Sequence, residues 1–381
     1  MRIFCWLFIF LLIPTGGALA ADPLETAIEE QLEALDLDGI RDFLATLEPE
    51  ARAYLPSLDV ASILRGRTPM EPGRFLRDLL LYLWREVTLG AHLLGQLIVL
   101  AVLCSLLQSL QRGLPGGASD VAFAVSLAAI TLLALGSFSA ALDIARETID
   151  AMVSFMQALL PTMATLLVAV GAITSATVFS PLLYGVVTGV ATLVETLVFP
   201  LIFVAAVLGI AGHFSPHFPL SRLAALARQG GILLLGAVFS VFLGVMVVRG
   251  ALAPVADGAA LRTAKFLTGT LVPVIGGMFA DAVEVVVGGS LLIKNAIGVL
   301  GLLVLMVVAA FPMVKIASMI IIYRLVAALV QPISDERLPQ ALGSLADSLT
   351  LVFLAVGTVA LMFFVAITII IGVGSLAALA R

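Results

Sequence analysis

The sequence predicts an all-α, polytopic membrane protein, and three observations predict it. Of its 381 residues 61% are hydrophobic and only 12% charged, against roughly 25% charged in a soluble domain. Charge-free runs are long: Val87 to Gln111 is 25 residues, Val121 to Leu142 is 22, Ala151 to Val194 is 44 and Ser348 to Ala380 is 33. Each exceeds the 18 or so that mark a spanning helix. Charge is also segregated, since residues 21–86 hold 14 of the 25 acidic side chains and 7 of the 20 basic ones. The net charge of −5 therefore arises near the N-terminus. No clustered basic surface of the kind nucleic acid requires is present, so lipid is the partner that the composition demands.

Residues 1–20 read as a cleaved signal peptide. Arg2 gives the positive start, Ile3 to Ile13 the short apolar run, and Ala18-Leu19-Ala20 the small-residue site, which places cleavage between Ala20 and Ala21. Cys5 leaves with it, and Cys104 alone makes no internal disulfide. Residues 21–86 follow as an exported, acidic helical region. Leu24, Ile28, Leu32 and Leu35 recur at helical spacing among Glu25, Glu29, Glu30 and Glu33, and prolines and glycines cut the remainder into short pieces.

Residues 87–381 form the membrane domain, read as seven or eight spans with interfacial amphipathic helices. The runs from Val87 and Val121 predict a hairpin turning at Arg112 to Gly117. The 44-residue run predicts two helices parted near Gly171 to Pro181, and a further break is expected at Glu195 to Pro200. His213 to Gln229, with Arg222 and Arg228 among leucines, reads as a helix lying in the interface. Gly231 to Val248 is the next span, ended by Arg249. Leu291 to Phe311 and Pro312 to Val330 read as two further membrane segments, and Ser348 to Ala380 as a long last one.

Charges in apolar surroundings are costly in a bilayer and face protein or water, so they are the candidate functional residues. Apolar runs between Ala251 and Gln331 are broken by Asp257, Arg262, Lys265, Asp281, Glu284, Lys294, Lys315 and Arg324. Asp281 and Glu284, three apart, share a helix face, and Lys294 and Asn295 follow a bend expected at Gly288-Gly289. This group either lines a polar cavity or marks a hairpin turn among headgroups. Glu195, beside Pro200, either carries a functional carboxylate in a broken helix or caps a short loop. Gly185 and Gly189 form a Gly-x-x-x-Gly that permits close helix approach. His213 and His217 are four apart, but Pro216 and Pro219 oppose a regular helix there, and two interfacial histidines are expected rather than a metal site. Walker A, His-Glu-x-x-His, Gly-x-Ser-x-Gly and Cys-x-x-Cys patterns are missing from the sequence. No enzymatic activity, cofactor or metal is expected.

One stretch carries a resemblance. Residues Asp257-Gly258-Ala259-Ala260-Leu261-Arg262-Thr263-Ala264-Lys265-Phe266-Leu267-Thr268-Gly269-Thr270, followed by Val272-Pro273-Val274, resemble the signature of the stage III sporulation protein AE family of endospore-forming bacteria. Leu291 to Ala296, Phe311 to Ile316, Tyr323-Arg324-Leu325, Gln331-Pro332 and Leu361 to Thr368 resemble it in the same order. The resemblance implies a multi-pass protein of the mother-cell membrane around the forespore. It implies a subunit of the conduit linking the two cells, beside other stage III A-operon proteins and, across the intermembrane space, stage II sporulation protein Q. A self-contained secondary transporter or permease is the competing class; it predicts an internal repeat and a midplane site, of which Phe199-Pro200 and Phe311-Pro312 are the only echo.

Overall fold

The computed structural model describes residues 35–47, 52, 72–113, 117–214, 220–271, 276–334 and 336–379, and those residues are helices and short connections. The expected signal peptide, its Ala20–Ala21 cleavage point and the amphipathic run from Leu24 to Leu32 lie outside them. In chain order the helices are α1 (Asp38–Thr46), α2 (Pro72–Leu89), α3 (Ala91–Gly113), α4 (Gly117–Ala169) and α5 (Ile173–Leu193). A π-helical turn (Val194–Val198) leads into α6 (Phe199–Phe214), followed by α7 (Ser221–Leu271), α8 (Gly276–Val330) and α9 (Arg337–Leu379).

Several helices are far longer than a bilayer requires. α4 has 53 residues and α8 has 55, about 80 Å each at 1.5 Å per residue. Among the described residues, five helical stretches are long and apolar enough to cross a membrane, or six if the pair Gly73–Leu89 and Ala91–Leu107, bent by 41°, counts as one. The described residues thus support about five or six spans where the sequence predicts seven or eight. The sequence divided helices that the chain keeps whole, because glycines and prolines are tolerated inside apolar helices when neighbours satisfy the freed backbone.

Four predicted interruptions are absent. Residues 221–229 run without a break into the apolar part of α7, so they are no separate interfacial helix. Gly288-Gly289 lies inside α8, and Pro312 is an interior residue of the same helix. At Pro200 the chain also stays helical. Proline has no N–H to extend the ladder, and the helix passes it by slipping register, Phe199 N–H reaching back five residues to the Val194 carbonyl.

Helices end and restart at Gly113 and Gly117, where the hairpin turn is predicted, and the break near Gly171 is also real. Gly171 sits at φ 89°, a backbone state that glycine adopts without strain. Ala172 N–H bonds the Leu167 carbonyl and Gly171 N–H the Val168 carbonyl, both at 2.8 Å. These are the paired 6→1 and 5→2 bonds of a Schellman ending, and they turn α4 back into α5.

α8 and α9 form the centre, with α4, α6 and α7 packed around them and α2 and α3 along the outer side of α8. Tyr82 of α2 meets Phe311 of α8 edge-on at 5.1 Å. α1 and the residues just before it dock on the second half of α4: Phe43 lies 5.2 Å from Phe155, and Thr162 donates to the Asp36 carbonyl at 3.1 Å.

Candidate functional site

Of the charged residues singled out by sequence, those with described side chains, among them Glu195, Lys294, Lys315 and Arg324, do not gather at one place. Arg262 and Lys265 belong to α7, and Asp281 and Glu284 to the first turns of α8, but their side chains lie outside the described residues, as do those of His213 and His217. Lys294 is fully buried between α8 and α9. Its Nζ donates to the Ile371 carbonyl at 2.7 Å. Next to it, Asn295 Oδ1 is buried with no hydrogen-bond partner among the described residues. Lys315 lies 21 residues further along α8, about 31 Å at helical rise, and is half-buried.

Arg324 belongs to a different group. Asp347, the last charge before the long apolar run of α9, faces Arg228 of α7 at 3.3 Å and Arg324 of α8 at 3.7 Å. Arg228 also donates to the Ser344 carbonyl at 3.2 Å. One carboxylate thus brackets three helices at a common level. Sequence reading did not pair these residues, since 119 positions separate Arg228 from Asp347.

Asp257 is the residue whose role was missed. It is 1% exposed, on α7, and its Oδ1 accepts Thr174 N–H at 2.9 Å and Ser175 N–H at 3.2 Å. The Ser175 hydroxyl donates to Oδ2. α5 starts after Ala172, whose side chain caps nothing. Its free N2 and N3 amides are therefore capped from a distant helix, in the manner a local Asp or Ser would cap them. A lone acid opening the Asp257-Gly258 stretch was the available signal; its partner was not readable.

Glu195 sits in the π turn, neither breaking the helix nor capping a loop. Its carboxyl lies beside Asp150 of α4, and Oε1 is buried with no partner among the described residues. Asp150 ends a charged patch inside α4 in which Arg146 pairs with Asp143 at 3.1 Å. Spacing of 143, 147 and 150 puts these acids on a single helix face.

A cavity of about 280 Å³ opens between the π turn, α7 and α9. Val198, Gly231, Leu235, Phe239 and Leu354 line it, with Thr358 as a polar group. It suits an apolar group, not a polar substrate. Among the described residues, no three His, Cys, Asp or Glu side chains are placed to hold a metal ion.

The family model for stage III sporulation protein AE matches residues 58–374. The chain belongs to that family. Stage III sporulation protein AE of Bacillus subtilis (strain 168) is 36% identical over 360 residues, which cover 93% of this chain and 90% of the relative. No solved structure matches the chain. Family membership gives the chain a sporulation-related role, and the match includes Asp257, Lys294, Arg324 and Asp347 within its bounds.

Proposed function

We propose that the chain is a non-enzymatic membrane subunit of the mother cell–forespore transenvelope conduit required for endospore development. The observation that carries this reading is the family match over residues 58–374, in a chain whose long apolar helices are consistent with a multi-pass membrane protein. On this reading residues 1–20 are removed on export and residues 21–86 lie outside the cytoplasm. The membrane domain assembles in the mother-cell membrane with other stage III A-operon proteins, facing stage II sporulation protein Q. No cofactor takes part.

Clean deletion in the native host tests it. Engulfment should complete, late forespore gene expression should fail, and heat-resistant spores should be lost and then restored by the gene in trans. A fluorescent fusion should concentrate in the membrane around the forespore. Wild-type spore yield in the deletion strain, or a defect confined to coat assembly, rejects the proposal.

A further inference from the structure

The peripheral part of α7 shows which depth of the bundle is apolar to its surroundings. From Arg228 to Arg249 it carries no charge, about 31 Å of helix, matching a ~30 Å hydrocarbon core. Its outward side chains, including Leu233, Val241 and Val247, are exposed. The two ends of this belt can be traced onto the other helices. At one end Arg228 shares Asp347 with Arg324, and Tyr323, beside Arg324, is hydrogen-bonded to Ser137 of α4. At the other end Gly250 lies against Ile369, while Ile367 and Leu159 of α4 both meet Gly301. The belt therefore covers α4 from about residue 137 to 159.

Within those limits α4 presents a polar stripe. Asp143, Glu147, Asp150 and Ser154 follow at steps of four, three and four, all exposed, so they share one face of the helix. Asp143 stands about 9 Å and Asp150 about 20 Å from the Ser137 level, mid-depth in the belt. α5 and the π turn extend the surface: Thr188 and Thr192 are exposed at helical spacing, Gln157 donates to Thr188 at 3.3 Å, and Glu195 lies beside Asp150. α2, with Tyr82 on Phe311, also brings charges to this depth, but exposed Leu76, Leu80 and Trp84 interrupt them. On α4 no exposed apolar residue interrupts the stripe from Asp143 to Ser154.

Lipid does not solvate such a face, since each carboxylate at that depth costs a few kcal/mol or more. Nor does dry contact with a second copy serve. The acidic groups Asp143, Glu147, Asp150 and Glu195 outweigh Arg146, and like-charged faces brought together repel. We propose that the α4–α5 face looks onto water and forms one wall of an aqueous, cation-attracting passage at membrane depth. This deepens the conduit reading and rests on it for the identity of the opposite wall.

Cysteine accessibility decides the matter. In a background with Cys5→Ala and Cys104→Ala, single Ser154→Cys and Thr192→Cys variants should react in intact sporulating cells with a positively charged, membrane-impermeant methanethiosulfonate. Val241→Cys, on the exposed face of α7 at the depth of Asp150, should not react. Should either variant fail to accumulate, Thr188→Cys takes its place. Unreactive stripe positions in normally inserted protein overturn the proposal, whether lipid or a tightly packed partner covers them. That outcome leaves the conduit reading intact if the deletion strain still fails to sporulate. Reactive stripe positions in a strain whose deletion sporulates normally would instead remove the conduit and keep the water-facing wall.

Discussion

α7 and α8 reach the same mean hydropathy, 2.7 over their most apolar windows, yet only 17% of that window is buried in α7 and 61% in α8. Hydropathy therefore reports that a helix belongs in an apolar medium without saying whether lipid or protein supplies it. The difference lies in small residues and in rare polar groups. In α8, Gly298 and Gly301 admit Ile371 and Leu159 to contact, and Lys294 is folded into the α9 interface. α7 has glycines too, but at Gly236 and Gly244 nothing approaches the space a Cβ would take. Close helix approach through small residues is a property of a pair of helices, not of the glycine itself.

The largest expected effect comes from the α8 interior. Lys294→Glu sets a carboxylate against the Ile371 carbonyl, a buried charge without compensation, and should cost about 3–5 kcal/mol. Purified variant should accumulate poorly and lose thermal stability in detergent, whereas Lys294→Met should come close to wild type. Near-normal melting of the Glu variant would show that water reaches this interface and would erase the contrast with α7.

Asp257→Ala comes next. It leaves two buried amides of α5 and the Ser175 hydroxyl without their acceptor, at about 1–3 kcal/mol. Asp257→Asn, which keeps one acceptor oxygen, should lose less. Limited proteolysis at the α4–α5 turn around Gly171 checks this, with faster cutting expected in the Ala variant.

A pair of glycine substitutions tests the contrast directly. Gly298→Val drives a methyl-bearing Cβ into the Ile371 side chain, an overpacking worth about 1–3 kcal/mol. Gly244→Val points into open space and should change thermal stability by less than about 0.5 kcal/mol. Equal losses at the two sites would mean that α7 is covered by another protein in the assembly.

The smallest effect is expected at the three-helix bracket. Arg324→Ala removes a long contact from a guanidinium that is 62% exposed, so its loss should stay within about 0–1 kcal/mol. Arg228→Ala should exceed it, because Arg228, 29% exposed, also holds the Ser344 carbonyl. A double-mutant cycle on detergent melting temperatures separates the two.

The break at Gly171 was legible because its cause is local: a glycine between two apolar runs, followed by polar Thr and Ser. Continuous passage through Pro200, Gly288-Gly289 and Pro312 was not. Those residues weaken a helix by fractions of a kcal/mol to a few, and packing on α9 and α4 overrides that penalty. The candidate site divides along the same line. That Asp257, Lys294 and Arg324 stand in costly surroundings was plain from the sequence, while their partners, Ser175, Ile371 and Asp347, were not. The charged face of α4 was spelled out at positions 143, 147 and 150, but only its depth gives it meaning.

By itself, then, the sequence determined the helical membrane class and the family, because both rest on long apolar runs and on contiguous residue strings read along one chain. Tertiary structure alone decided which apolar helix is core and which is rim, where α5 finds its cap, and that a charged stripe lies level with an exposed apolar helix. Each of these depends on the relative height and rotation of separate helices. Contacts between residues as far apart as 119 positions set that alignment, and no local spacing encodes it.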